Sequence, residues 1–184
     1  MLILGKYFFR YRGILPVPWV MGSWYLMATT MQVVLSGLGI AAIGVILRLL
    51  AISSIGQKAR TLEDKVGDLT VEGWYLWCRN PLYVANILIW MGVFSSCGNW
   101  WLLLAGGSYF IFQYWCIVLW EESILMMRKK DSYIAYMIHT PRWFSGSFPA
   151  QLWGSISFSK VLRYERSTFL SFVIVYVPIF YQII

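Results

Sequence analysis

Long apolar segments, separated by shorter polar ones, are the feature that most constrains how this chain can fold. Each is close to the roughly 20 residues that an α-helix needs to cross a bilayer. They cover about residues 14–30, 32–55, 81–97, 100–120 and 167–184. Only 12% of the residues are charged, whereas a soluble domain carries roughly 25%. The sequence therefore predicts an all-α, polytopic membrane protein with about five transmembrane helices in a single domain, residues 1–184.

The distribution of lysine and arginine predicts the topology. Basic residues occur at the N-terminus, in residues 56–80 and in residues 121–166, whereas the turns near Met31 and Gly98 contain none. Because cytoplasmic loops are enriched in basic residues, this pattern places the N-terminus in the cytoplasm and the C-terminus outside. These loops also explain the net charge of +7, which does not indicate nucleic-acid binding. The compactness of the chain suggests a prokaryotic inner membrane.

Several polar positions carry further expectations. Arg48 lies in the second apolar segment, and because a charge in lipid is costly it should lie near a helix end or face the helix bundle. We expect residues 57–79 to form a loop and a short helix at the membrane interface. Residues 151–166 have the pattern of an interfacial amphipathic helix. One histidine, His139, and three scattered cysteines predict no metal site.

Two polar clusters at the predicted cytoplasmic ends of the third and fourth helices form the candidate site. One is the sequence Arg-Asn-Pro-Leu-Tyr at residues 79–83, and the other is Glu121-Glu122. Neighbouring carboxylates repel each other, and at the C-terminal end of a helix they would also meet the negative end of its dipole. Arg79, Arg142 or a cationic ligand could compensate them.

S-adenosylmethionine is a cationic ligand that fits these residue types. Carboxylates suit its ribose hydroxyls or its ammonium group, and aromatic faces suit its adenine and its sulfonium. Asn80 and the backbone N–H groups at a helix start suit its carboxylate. The residue inventory is thus consistent with a site for this cofactor.

The spacing of these residues resembles a known superfamily. Residues 73–83 read Gly-x-Tyr-x3-Arg-Asn-Pro-x-Tyr, which resembles the G-x-Y-x3-R-H-P-x-Y signature of isoprenylcysteine carboxyl methyltransferases and phospholipid methyltransferases. Residues 121–125 resemble its E-E-x-x-L element, residues 133–141 its Y-x2-Y-x4-P element, and residues 47–56 its L-R-x2-A-x4-G helix end. The resemblance covers the motif-bearing part of the chain, about residues 37–142.

The resemblance implies an integral membrane enzyme that transfers a methyl group from S-adenosylmethionine to a membrane-embedded lipid or isoprenoid acceptor. That acceptor would carry a carboxylate, phosphate or amine headgroup. The implied cofactor contacts, on the cytoplasmic side, are Leu69, Tyr75, Asn80, Pro81, Tyr83 and Glu121. The phospholipid methyltransferase branch also pairs a Gly-x-Gly element with the two glutamates, which implies further contacts at Gly37 and Gly39.

Arg79 and Glu122 are the candidate catalytic residues. An amine nucleophile must lose a proton, which Glu122 or a tyrosine could accept. A carboxylate or phosphate nucleophile needs no base, and catalysis would then come mainly from alignment in a water-poor pocket. Two departures from the family pattern bear on the substrate. Asn80 replaces the histidine of the prenylcysteine enzymes, as the phospholipid branch tolerates, and Ile117 stands where those enzymes carry a substrate-binding arginine.

Other interpretations stay open at this point. Residues 79–83 also fit ordinary interfacial anchors, Glu121-Glu122 also fits a solvated helix end, and Gly37 and Gly39 also fit helix packing. One functional alternative is a sterol-reductase-like enzyme that binds NADPH, although such an enzyme needs more helices and more basic residues. Another is a non-catalytic membrane subunit or a small transporter, although a transporter should show repeats or paired broken helices.

Overall fold

The computed structural model describes residues 1–55, 69–144 and 165–183. These residues form seven α-helices and no strand, which confirms the all-α prediction. A 3₁₀ helix at Gly73–Leu76 precedes α4. The α-helices are α1 Leu2–Tyr11, α2 Val17–Tyr25, α3 Met31–Ile55, α4 Pro81–Ser96, α5 Trp100–Arg128, α6 Lys130–His139 and α7 Arg166–Tyr181. The predicted interfacial segments fall largely in residues 56–68 and 145–164, outside the described residues.

The N-terminal part differs from the single spanning helix predicted over residues 14–30. The structure has α1 and α2 instead, and the nine residues of α2 extend only about 14 Å. The helix ends after α2 because the backbone of the following residues makes hydrogen bonds to the turn between α4 and α5. The Ala28 N–H donates to the Cys97 carbonyl at 2.9 Å, and the Asn99 side chain donates to the Leu26 carbonyl at 3.0 Å. These bonds hold residues 26–30 against the turn between α4 and α5.

Small residues allow α3 and α4 to pack closely as an antiparallel pair. A Cβ added at Gly37 would lie 2.4 Å from the Ser96 backbone nitrogen, and one added at Gly92 would lie 2.4 Å from the Ala41 nitrogen. No side chain fits at such distances. Close approach through small residues is a common way for membrane helices to associate.

The turn between α4 and α5 reverses the chain tightly. Gly98 has a φ of +66°, a conformation that glycine adopts without strain. The Asn99 side chain accepts hydrogen bonds from the Trp101 and Leu102 N–H groups and so caps α5. As predicted, α4 begins at Pro81. The helix α5 continues past the glutamate pair, to Arg128. Because the two helices are antiparallel, the start of α4 lies beside the C-terminal part of α5.

Arg48 faces the interior of the helix bundle. Its Nε donates to Glu165 Oε2 at 2.7 Å, its Nη2 donates to Glu165 Oε1 at 3.2 Å, and its Nη1 donates to the Asn86 side chain. Glu165 is buried and lies at the start of α7. The pairing therefore attaches α7 to α3 and α4. Of the two placements expected for Arg48, the structure shows the one that faces the helix bundle.

Two described helices are long and apolar enough to cross a bilayer, judged by length and composition. They are Met31–Ser54 and Trp100–Arg128. The helices α4 and α7 have 16 residues each and extend about 24 Å, less than the roughly 30 Å of a hydrocarbon core. Five crossings and a cytoplasmic N-terminus stay predictions.

Candidate functional site

The segment before α4 is fixed against the end of α3. Gly73 has a φ of +56°, and a Cβ there would lie 2.3 Å from Ser54 Oγ. The same hydroxyl accepts a hydrogen bond from the Trp74 N–H at 3.1 Å. Glycine is thus required both for the turn and for the close approach of Ser54. This contact directs the 3₁₀ helix, which contains Tyr75, toward the start of α4.

Main-chain groups join the motifs on either side of α5. The Arg79 N–H donates to the Pro141 carbonyl at 2.9 Å, and Asn80 Nδ2 donates to the Arg142 carbonyl at 3.1 Å. The Tyr136 hydroxyl donates to the Tyr75 carbonyl at 2.6 Å. Residues that are about 60 positions apart in sequence therefore meet at one end of the bundle.

Glu122 is held by two arginines. Its carboxylate accepts from Arg142 Nη2 at 2.8 Å and from Arg142 Nε at 3.1 Å, and it lies 3.2 Å from Arg79 Nη2. The Glu122 side chain is only 11% exposed. Charge-assisted bonds of this kind are among the strongest in proteins. Both oxygens of Glu122 are thus engaged by guanidinium donors.

Glu121 has a different environment from its neighbour. The Tyr83 hydroxyl donates to Glu121 Oε1 at 2.8 Å, and the Tyr83 ring lies against the Tyr114 ring at 5.4 Å between centroids. Among the described residues, no cation lies within ion-pair distance of Glu121, and none donates to its Oε2. Glu121 is therefore a half-buried carboxylate that makes no ion pair with any described residue.

The helical geometry of α5 explains why the two glutamates differ. Consecutive residues of an α-helix point about 100° apart. Glu121 therefore points toward α4, where Tyr83 lies, whereas Glu122 points toward Arg142 and the segment after α6. The two adjacent glutamates therefore face two different sides of α5 within the site.

The pKa values of three titratable groups around Glu122 are raised, which keeps each group protonated and prevents it from acting as a base. Burial, reinforced by the charge of Glu122, raises the pKa of Tyr133, and burial together with the neighbouring Cys78 raises the pKa of Tyr136. The hydrogen bond with Glu122 raises the pKa of Arg142. The two tyrosines are thus neutral and the arginine is charged at physiological pH. Neither tyrosine is a ready proton acceptor.

A family model described as phospholipid methyltransferase matches residues 20–129. This is more than half of the chain. The chain belongs to the phospholipid methyltransferase family. No curated protein and no solved structure matches it significantly. Membership confirms the recognised superfamily and indicates a membrane methyltransferase.

The part matched to the phospholipid methyltransferase family contains both glutamates and the start of α4. It ends before α6. The structure brings Tyr75, Arg79, Asn80, Pro81, Tyr83, Glu121 and Glu122 together at one end of the bundle. Leu69 is a half-buried residue that precedes the 3₁₀ helix, and its role as a cofactor contact stays a prediction.

Gly37 and Gly39 do not lie with these site residues. Gly37 packs against Ser96, at the end of α4 that lies about 24 Å from Asn80. Gly39 is exposed, and no atom outside its own helix lies within 4 Å of a Cβ built there. Of the two interpretations of the Gly-x-Gly element, helix packing fits Gly37.

Some site features of this methyltransferase had little or no sequence signal. The carbonyls of Pro141 and Arg142 are backbone groups that any residue would supply. Trp115 and Trp143 stack at 5.6 Å beside Arg142, but tryptophans are common throughout this chain. The contact of Ser54 did have a sequence signal. Ser54 is a polar residue near the predicted end of α3, where the following loop must be anchored.

Proposed function

We propose that this protein is an S-adenosylmethionine-dependent methyltransferase whose acceptor is a membrane lipid. The family supports methyl transfer in general terms. The observation that supports the cofactor is Glu121, a half-buried carboxylate that Tyr83 orients and that makes no ion pair with any described residue. A cationic ligand between α4 and α5 would supply the missing charge.

The residues around Glu121 suit the cofactor. The carboxylate matches an ammonium group or ribose hydroxyls, and the adjoining Tyr83 and Tyr114 rings match an adenine or a sulfonium. Asn80, Pro81 and Tyr75 border the same end of the bundle, and we assign them to the cofactor together with Tyr83 and Glu121. When bound, S-adenosylmethionine supplies an electrophilic methyl group on a sulfonium.

The chain itself would hold the cofactor and the acceptor and align them for methyl transfer. The pairs that Glu122 makes with Arg79 and Arg142 fix the junction between α4, α5 and residues 140–142. We therefore assign Arg79 and Glu122 to positioning. For an amine acceptor, Glu121 is the better proton acceptor, because no described residue occupies its Oε2.

The proposed setting is a bilayer that α3 and α5 cross, within a polytopic chain whose N-terminus is cytoplasmic. The site would then lie at the cytoplasmic end of α5, where a water-soluble cofactor can enter. A lipid acceptor would approach the same end from the membrane. A prokaryotic inner membrane is the proposed location.

Calorimetric titration of the detergent-purified protein with S-adenosylmethionine tests the function. We expect saturable binding that Glu121→Gln weakens by about tenfold or more, since a bond to a charged group contributes about 1.5–3 kcal/mol. Asp131→Asn, an exposed carboxylate on α6, is the matched control and should leave binding unchanged. Absence of binding by folded protein would reject the proposal. Binding of NADPH in its place would favour the reductase alternative.

A further inference from the structure

We propose that Arg142 and Trp143 form a subsite for the phosphate group of the acceptor lipid. The inference rests on the proposed function, because it assigns the second substrate of the same site. It concerns the face of α5 that carries Glu122 and Trp115, not the face that carries Glu121.

Arg142 has one guanidinium edge that is bonded to no described residue. Its Nε and Nη2 donate to Glu122 at 3.1 and 2.8 Å, and no described residue accepts from Nη1. The side chain is 33% exposed, compared with 10% for Arg79. A guanidinium held rigidly at one edge presents its other edge in a fixed direction, which suits an oxyanion with several acceptor oxygens.

Among the described residues, the charges that contact Glu122 do not balance. Arg79 and Arg142 contribute two positive charges, and Glu122 contributes one negative charge, which leaves a net charge of +1. Glu121 points about 100° away on α5 and accepts from Tyr83. If Glu121 serves a cationic cofactor, an anion is needed on the Glu122 side to neutralise the remaining charge.

Trp143 supplies a second unused donor next to Arg142. Its indole Nε1 is buried and makes no hydrogen bond with any described residue. A buried donor without a partner is destabilising, so its presence indicates a missing acceptor. Both the Trp143 ring and the Arg142 guanidinium lie against Trp115, at 5.6 and 5.8 Å from its ring centroid. The two donors therefore share one aromatic platform.

The position of this platform favours a lipid phosphate. Trp115 is 39% exposed and lies two turns before Glu122, about 10 Å along α5. An aromatic side chain at this depth from a charged helix end is typical of the headgroup region of a bilayer. A phosphodiester there would accept from Arg142 Nη1 and Trp143 Nε1. The rest of the headgroup would lie next to the cofactor side of α5.

The test is lipid binding by Trp143→Phe, which removes the indole N–H and keeps an aromatic ring on Trp115. The probe is dihexanoylphosphatidylcholine below its micellar concentration, titrated by calorimetry into protein in a maltoside detergent. Its headgroup has no N–H, so binding is measured without turnover. We expect Kd to rise about tenfold, the loss of one bond to a charged group. The melting temperature should stay the same or rise, because a buried unpartnered donor is removed.

The controls separate this proposal from its alternatives. Trp101→Phe, an exposed tryptophan at the other end of α5, should bind the probe as wild type does. Equal affinity of Trp143→Phe and wild type, or equally tight binding of dihexanoylglycerol, would overturn the subsite. Inorganic phosphate that binds as tightly as the lipid would overturn the lipid assignment.

The proposed function and the subsite can fail separately. S-adenosylmethionine is titrated into the same wild-type and Trp143→Phe samples, and the variant should keep wild-type cofactor affinity. Lipid binding that depends on Trp143, in a protein that does not bind the cofactor, would reject the methyltransferase and keep the phosphate subsite. Cofactor binding in a protein whose lipid binding does not depend on Trp143 would keep the methyltransferase and reject the phosphate subsite.

Discussion

Replacing Glu122 by glutamine should destabilise the protein much more than the same change at Glu121. Glu122→Gln leaves Arg79, whose side chain is 10% exposed, without its carboxylate. Removing one partner of a buried ion pair costs about 3–5 kcal/mol. Arg142 is a third exposed and adds at most about 1 kcal/mol, because water screens its charge. Glutamine keeps one acceptor oxygen, so we expect a loss of about 3 kcal/mol.

Thermal unfolding in detergent, followed with a thiol-reactive dye, measures this effect. Cys78, Cys97 and Cys116 are all buried and free, so the dye reports their exposure. For a chain of this size, 1 kcal/mol corresponds to about 2–4 °C, which predicts that the Glu122→Gln melting temperature falls by roughly 6–12 °C. Glu121→Gln removes no ion pair among the described residues and should shift it by less than about 4 °C.

A double-mutant cycle identifies the cause of the effect. If Glu122 stabilises the protein through Arg79, then Arg79→Gln should cost at least about 1 kcal/mol less in the Glu122→Gln background than in wild type. Equal melting temperatures for Glu121→Gln and Glu122→Gln would refute the division of roles between the two glutamates. So would strict additivity in the cycle.

Three further predictions follow from the fold and the site. Tyr83→Phe removes the hydroxyl that orients Glu121 and should weaken S-adenosylmethionine about tenfold in calorimetry, with a change in melting temperature of only a few degrees; unchanged affinity would contradict the role of this bond. Gly37→Ala should lower the melting temperature because its Cβ meets the α4 backbone, whereas Gly39→Ala, in open space on the same helix, should leave it unchanged or raise it; equal effects would contradict the packing role. Burial raises the pKa of Cys78 from 9.0 to about 12, so the stability it contributes is present below about pH 9 and lost as the pH rises toward 12. In a variant with Cys78 as its only cysteine, iodoacetamide at pH 8 should therefore react far more slowly with folded than with unfolded protein, and equal rates would contradict its burial.

The elements that the sequence predicted well are those with a strong local signal. Pro81 predicted the start of α4, because a proline in the first turn of a helix acts within a few residues. The side-chain cap that Asn99 gives α5 was seen only in the structure. The charge of Glu121-Glu122 required compensation, and the structure supplies it for Glu122 from both Arg79 and Arg142.

The parts that were missed depend on contacts distant in sequence. Residues 26–30 leave the helix because their backbone bonds to Cys97 and Asn99, about 70 positions away, and apolar composition carries no trace of such bonds. Arg48 could be placed in the bundle interior, but its partner Glu165 could not be identified. The unequal environments of Glu121 and Glu122 also required the packing of α5 against α4.

The pairing of Arg48 with Glu165 has a consequence for the order in which the protein is made. The two residues are 117 positions apart, which corresponds to roughly ten seconds of synthesis at about 5–20 residues per second. A ribosome that feeds α3 into the membrane as proposed would deliver its guanidinium well before the matching carboxylate exists. Asn86, only 38 positions later, is the first partner to emerge and can hold Arg48 during that interval. In that proposed membrane setting, α3 and α4 would associate first and shelter the charge of Arg48, and α7 would then complete its neutralisation.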